Sequence, residues 1–330
     1  MKASGRAGKR SESREGYPGR SWRLAPPLLV IVGPTAAGKT SLSLHLSKAF
    51  GGEVISADSR SFYRDMDIGT AKPTPEERAQ VPHHLIDIAD PDETVGLAEF
   101  QDLAYAAIDD VRARGELPLL VGGTGQYVQA VVEGWRIPRV PPHPHLREEL
   151  ERRAEEESPY ALHDWLRQLD PEAAEDIHPH NVRRVVRALE VCLVTGHPIS
   201  EQQGKQPPPY PVFQVGVTMD RELLYKRVDR RLELMIEAGL MEEVRELLQA
   251  GHDWSLPAMS AVGYAEFEPL FAGEATLDEV IEEIRSDLRH LIRHQYNWFS
   301  LDDPDIHWFD VAHTTYQEIE LVVDGWLSQQ

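Results

Sequence analysis

Between Leu28 and about Gly134, short apolar runs alternate with longer stretches of helical period. The runs near 28–32, 53–57, 84–88 and 117–121 predict strands; helices follow the first and last, and another is predicted near 97–113. The strands lack polar alternation, which implies a parallel sheet covered on both faces by helices. From Pro138 to about Thr195 the pattern turns helical and heavily charged, an inserted all-helical subdomain. Gly196 to Pro211, rich in Gln and Pro, reads as a linker. Val212 to Thr218 returns to strand character, and long helices are predicted from there to the C-terminus. The expected organisation is therefore a leader (1–23), the first part of an α/β core (24–137), the insertion (138–195), and a linker, returning core strand and C-terminal helices (196–330).

In open α/β sheets ligands collect beyond the carboxyl ends of the strands, so the strand exits carry the chemistry. The first exit, Gly33-Pro34-Thr35-Ala36-Ala37-Gly38-Lys39-Thr40, is a complete phosphate-cradling loop and makes the fold class P-loop NTPase-like. Its backbone N–H groups and the following helix start favour an anion. Lys39 supplies a point charge, and the Thr40 hydroxyl is the expected ligand of a magnesium ion. The loop alone leaves open whether the phosphates are fuel, substrate or leaving group. The second exit runs into Asp58, which suits magnesium support, a general base or a helix cap. The third, Val121 to Tyr127, is glycine-rich and presents the Thr124 hydroxyl.

Composition narrows the setting. At 330 residues and 41% apolar content the chain suits about two domains. Its single cysteine, Cys192, excludes an intramolecular disulfide and lies in an apolar run, as a buried thiol would. No apolar stretch approaches the roughly 20 residues of a membrane span, so a cytoplasmic protein without membrane association is expected. The net charge of −21 divides into +5 over residues 1–23, predicted to be disordered, and −26 over the rest. An acidic body argues against indiscriminate nucleic-acid binding but leaves room for a local basic patch. The His83-His84, His143/His145 and His178/His180 pairs lack the cysteines and spacing of a dedicated zinc site.

Three further stretches make the reading specific: Asp58-Ser59-Arg60-Ser61-Phe62-Tyr63, Met66 to Pro73, and Pro82-His83-His84-Leu85-Ile86-Asp87. With Gly122 to Tyr127, Arg187 to Val191 and Gly263-Tyr264 followed by Glu266, they resemble the bacterial tRNA dimethylallyltransferases from about Leu28 to Phe309, in the same order and spacing. Departures fall on the RNA side. Ser61 stands where the family has Gln, Arg183 where it often has Gln, and Arg293-His294-Gln295-Tyr296-Asn297-Trp298-Phe299 replaces Lys-Arg-Gln-x-Thr-Trp-Phe.

The resemblance implies transfer of a dimethylallyl group from dimethylallyl diphosphate to N6 of adenosine 37 in tRNA. Gly33 to Thr40 would then hold the diphosphate leaving group with Mg2+, Asp58 would take the proton from N6, and Lys39 and Thr124 would assist. It further implies tRNA contacts at Asp58, Ser59, Arg60, Ser61, Thr124, Arg147, Arg183, Arg184, Val185, Val186 and Arg187; separately, a monomer is expected. Two other readings share the loop: a kinase using ATP, and a noncatalytic RNA-binding protein. The stripe Arg285, Arg289, Arg293 is open to either tRNA phosphate or salt bridging, and Arg227 and Arg231 to either the diphosphate or surface pairing.

Overall fold

A computed structural model of the protein describes residues 25–330, so the predicted basic leader lies outside the described residues. Eight strands form in chain order: β1 Leu28–Val32, β2 Gly52–Ser56, β3 His83–His84, β4 Leu117–Val121, β5 Trp135–Arg136, β6 Gly204–Lys205, β7 Val212–Thr218 and β8 Ile306–Asp310. Six of them make one sheet in the order β3-β2-β4-β1-β7-β8. Every neighbouring pair in it is parallel. The expected parallel sheet covered by helices is thus the core of the molecule.

Successive residues of a strand point to opposite faces. In β1, Leu29 and Ile31 join a core with Leu42, Leu46 and Phe50 of the helix Lys39–Phe50, while Leu28, Val30 and Val32 join one with Phe100, Ala104 and Ile108 of the helix Leu97–Ala113. All five β1 residues are buried, which explains a run with no polar break.

Two expectations need correction. The strand predicted at 84–88 ends at His84, because Leu85 and Asp87 take left-handed backbone angles, φ 60° and 56°. That turn aims Asp87 at Lys72 and Arg78. The last strand, β8, stands where only helices were predicted. Ile306 to Asp310 pair with Gln214 to Thr218, although His307 is exposed and Trp308 and Phe309 only half-buried, so the sequence carries no run of buried apolar residues.

Four helices, Pro144–Glu156, Pro159–Leu169, Pro171–Asp176 and Val182–Thr195, pack around Leu150, Leu162, Leu166, Val185, Val186 and Leu189. Ser158, Asp170 and Asn181 cap the last three by accepting backbone N–H bonds. The chain leaves the core and returns to it through the antiparallel pair β5–β6, with Trp135 opposite Lys205 and Arg136 opposite Gly204. Further along, the helix Leu277–Trp298 starts in a capping box of Thr276 and Glu279, and its last turn delivers Gln295 to the carboxyl ends of the strands.

Candidate active site

The phosphate loop leaves β1 and turns into the helix Lys39–Phe50 through Gly38, whose φ of 100° suits glycine. At Gly33 a Cβ would lie 2.3 Å from the Val217 carbonyl oxygen, so only glycine lets the loop pass β7. Lys39 Nζ donates to the carbonyls of Gly33 and Pro34 at 2.8 and 2.9 Å. Burial lowers the Lys39 pKa to about 8, an effect partly offset by the Asp58 carboxylate and reinforced by the positive charge of Arg231. An anion bound in the loop would favour the charged form of this lysine.

Asp58 lies two residues past the end of β2. Its Oδ1 accepts the Arg60 N–H at 2.9 Å, which fixes the carboxylate at the strand exit. Gly122, at the exit of β4, lets the two strand ends close: a Cβ there would sit 2.2 Å from the Ala57 carbonyl oxygen. The result is that the Ser59 N–H donates to Thr124 Oγ1 at 3.3 Å, placing Thr124 beside the residue that follows Asp58. A small cleft is lined by Lys39, Thr40, Asp58, Ser61, Thr70 and His83, so phosphate loop and candidate base share one cavity.

A family model described as IPP transferase matches residues 61–302, and one described as isopentenyl transferase matches residues 26–91. The chain belongs to the IPP transferase family. A tRNA dimethylallyltransferase of Roseiflexus castenholzii is 58% identical over 273 residues, 83% of this chain and 89% of that protein. One from Chloroflexus aurantiacus is 55% identical over 292 residues, 88% of this chain and 98% of that one. The crystal structure of a full-length tRNA isopentenylpyrophosphate transferase from Bacillus halodurans matches with a TM-score of 0.69 at 42% identity, covering 92% of this chain and 97% of that one. A eukaryotic dimethylallyltransferase acting on tRNA matches with a TM-score of 0.79 at 26% identity, over 93% of this chain and 80% of that one.

Against this IPP transferase frame, the residues expected to touch RNA separate into groups. Arg183 and Arg184 are exposed at the start of the helix Val182–Thr195. Val185 and Val186 are 0% and 2% exposed in the core of the helical insertion, so their side chains face away from any RNA. Ser61 is likewise buried and faces the cleft with Asp58, because its N–H is drawn back onto the Asp58 carbonyl. Arg60 donates to the Pro257 carbonyl and to Ser260 Oγ, and thereby ties the Asp58 turn to the Ala258–Ser260 segment. Arg147 and Arg187 both reach the buried Glu190. The Arg285 and Arg289 guanidiniums pair with Asp229, which takes up two members of the third arginine stripe.

Two groups at the site were weakly marked or unmarked in the sequence. Arg231 is open to solvent yet closely enough surrounded that desolvation lowers its pKa, and its charge acts on Lys39. Its spacing from Arg227 is that of an ordinary charged helix face, so nothing local distinguishes it. Gln295 bridges the phosphate loop and the Gly122–Thr124 turn across 260 residues of sequence, a contact that no local pattern announces.

The oxygen donors of Thr40 and Asp58 are of the type a magnesium ion takes. Thr40 and Asp58 line one cleft, and among the described residues no group of three or more His, Cys, Asp or Glu side chains forms a cage. Among the same residues no helix is long and apolar enough to cross a membrane.

Proposed function

We infer that the protein is a prenyltransferase that moves a dimethylallyl group from dimethylallyl diphosphate to N6 of adenosine 37 in tRNA. Family membership supports the reaction, and the cleft shared by Lys39, Thr40 and Asp58 supports the roles. The N6 lone pair forms a bond to C1 of the allyl group as the C1–O bond breaks, and diphosphate leaves. Lys39 and the N–H groups at the start of the helix Lys39–Phe50 stabilise the charge gathering on the departing oxygens. Arg231, whose charge acts on Lys39, adds a second cation. When bound, Mg2+, held by Thr40, would supply further neutralisation of the diphosphate.

Asp58 accepts the N6 proton, and Thr124, fixed by the Ser59 N–H, orients the amine. The adenine must leave its stack to enter the cleft. Arg183 and Arg184 hold the tRNA backbone from the insertion. The deciding experiment incubates the protein with labelled dimethylallyl diphosphate and unmodified tRNA. Label on adenosine 37 with release of diphosphate is expected; ATP turnover without labelled tRNA would replace this reading with a kinase.

A further inference from the structure

Gln295 is 7% exposed and both ends of its amide are used. Oε1 accepts the Thr35 N–H at 2.8 Å, and Nε2 donates to the Gly123 carbonyl at 3.2 Å. One side chain thus joins the loop proposed to hold the leaving group to the turn that carries Thr124. The contact leaves no slack: a Cβ on Gly123 would sit 2.4 Å from Nε2. From Thr124 the connection continues through the Ser59 N–H to the residue after Asp58.

The same bond changes what the loop offers an anion. The Thr35 N–H is taken by Gln295 and the Ala37 N–H by the Pro34 carbonyl. The first N–H groups of a helix have no partner within it, so the donors at the start of the helix Lys39–Phe50 remain for the diphosphate. A leaving group bound there lies at a fixed separation from Thr124 and Asp58, and Gln295 sets that separation. An in-line attack depends on it, because a misplacement of about 1 Å costs on the order of a hundredfold in rate.

We propose that Gln295 is a positioning residue for prenyl transfer, holding the diphosphate loop and the acceptor turn at the spacing the reaction requires. The proposal rests on the transferase reading above. Its test measures transfer by the full-length protein and by Gln295→Met and Gln295→Glu, together with tRNA affinity and thermal melting. Gln295→Met removes both hydrogen bonds at similar length. Its kcat at saturating donor and tRNA falls about tenfold or more, with tRNA affinity within about twofold of the parent. Gln295→Glu keeps the acceptor for Thr35 but sets a carboxylate beside the loop, so the KM for dimethylallyl diphosphate rises about tenfold.

Full kcat in Gln295→Met, or a lowered melting temperature with kcat retained, overturns the proposal. If Gln295→Met is unfolded at the assay temperature, Gln295→Glu decides: an unchanged donor KM overturns it. A parent protein that fails to label tRNA contradicts the transferase reading itself, an outcome separate from these.

Discussion

The Arg147 guanidinium lies 2.8 Å from the Glu190 carboxylate, and that carboxylate is wholly buried. Arg187 and the His143 N–H reach the same group. Burial opposes ionisation of Glu190, but these bonds outweigh it and hold its pKa at about 2. Both arginines therefore brace the insertion before they touch any ligand. Removing one partner of a buried pair leaves an uncompensated charge and costs about 3–5 kcal/mol. Glu190→Ala leaves behind guanidiniums that are 36% and 33% exposed and can be solvated, so it is expected to destabilise the insertion by less than that, measured by denaturant unfolding. Because the folded pKa is depressed, this stabilisation is present above the usual carboxylate range. It is lost as pH falls toward about 2, and the variant does not show that loss.

Lys39 gives a prediction with the opposite sense. With its pKa near 8, the free enzyme loses the loop cation as pH rises through that value. The kcat/KM for dimethylallyl diphosphate should accordingly decline on the basic side with an apparent pKa near 8. Lys39→Arg, which stays charged, should move that limb to higher pH even where its absolute rate is low. An unchanged limb would assign the titration elsewhere.

What the sequence disclosed follows the range of the interactions involved. β1, its glycines and the helix Lys39–Phe50 are contiguous, and each part of the phosphate loop is recognisable from its neighbours. Asp58 and Thr124 stood out as exits from apolar runs. The links between these exits were not legible, because they are made by Gln295 and by Gly122 packing on Ala57, residues far apart in the chain. Arg147, Arg183 and Arg187 look alike on helical spacing. Only the position of Glu190 on the inner face shows which of them are engaged inside the fold. The strand β8 escaped notice because it lies at the sheet edge with half-buried residues.

The role of Asp58 separates chemistry from binding. Asp58→Asn keeps an oxygen for the Arg60 N–H and so preserves the turn, but it removes the proton acceptor. Single-turnover transfer should fall by about 10²–10⁴, with tRNA affinity little changed. An unaltered single-turnover rate would take the base role from Asp58.

Glu243 organises a neighbouring part of the cleft from a distance. Its carboxylate accepts the N–H groups of Asp67, Ile68 and Gly69 at 2.9, 2.8 and 3.1 Å, and the Tyr264 hydroxyl at 2.6 Å. The next residues, Thr70 and Ala71, line the cleft. Glu243→Ala frees the three N–H groups and leaves the hydroxyl of the buried Tyr264 without its acceptor, at a cost of about 1–3 kcal/mol for a buried unsatisfied group. Donor KM should rise and the melting temperature fall, while Glu243→Gln, which retains an acceptor oxygen, should recover part of both.

Arg183 and Arg184 are exposed, whereas Arg147 and Arg187 share Glu190, and the two pairs should respond differently to substitution. An arginine that contacts only phosphate contributes affinity without structural support. Arg183→Ala or Arg184→Ala should then weaken tRNA binding, reduce the salt dependence of log Kd by about one phosphate contact, and leave the melting temperature in place. Arg147→Ala and Arg187→Ala should lower the melting temperature as well, because each exposes part of the Glu190 charge. Binding measured at several salt concentrations, together with thermal melts of all four variants, distinguishes a surface that holds RNA from a brace that holds the insertion. Equal salt slopes in Arg183→Ala, Arg184→Ala and the parent would remove this helix end from the tRNA contact.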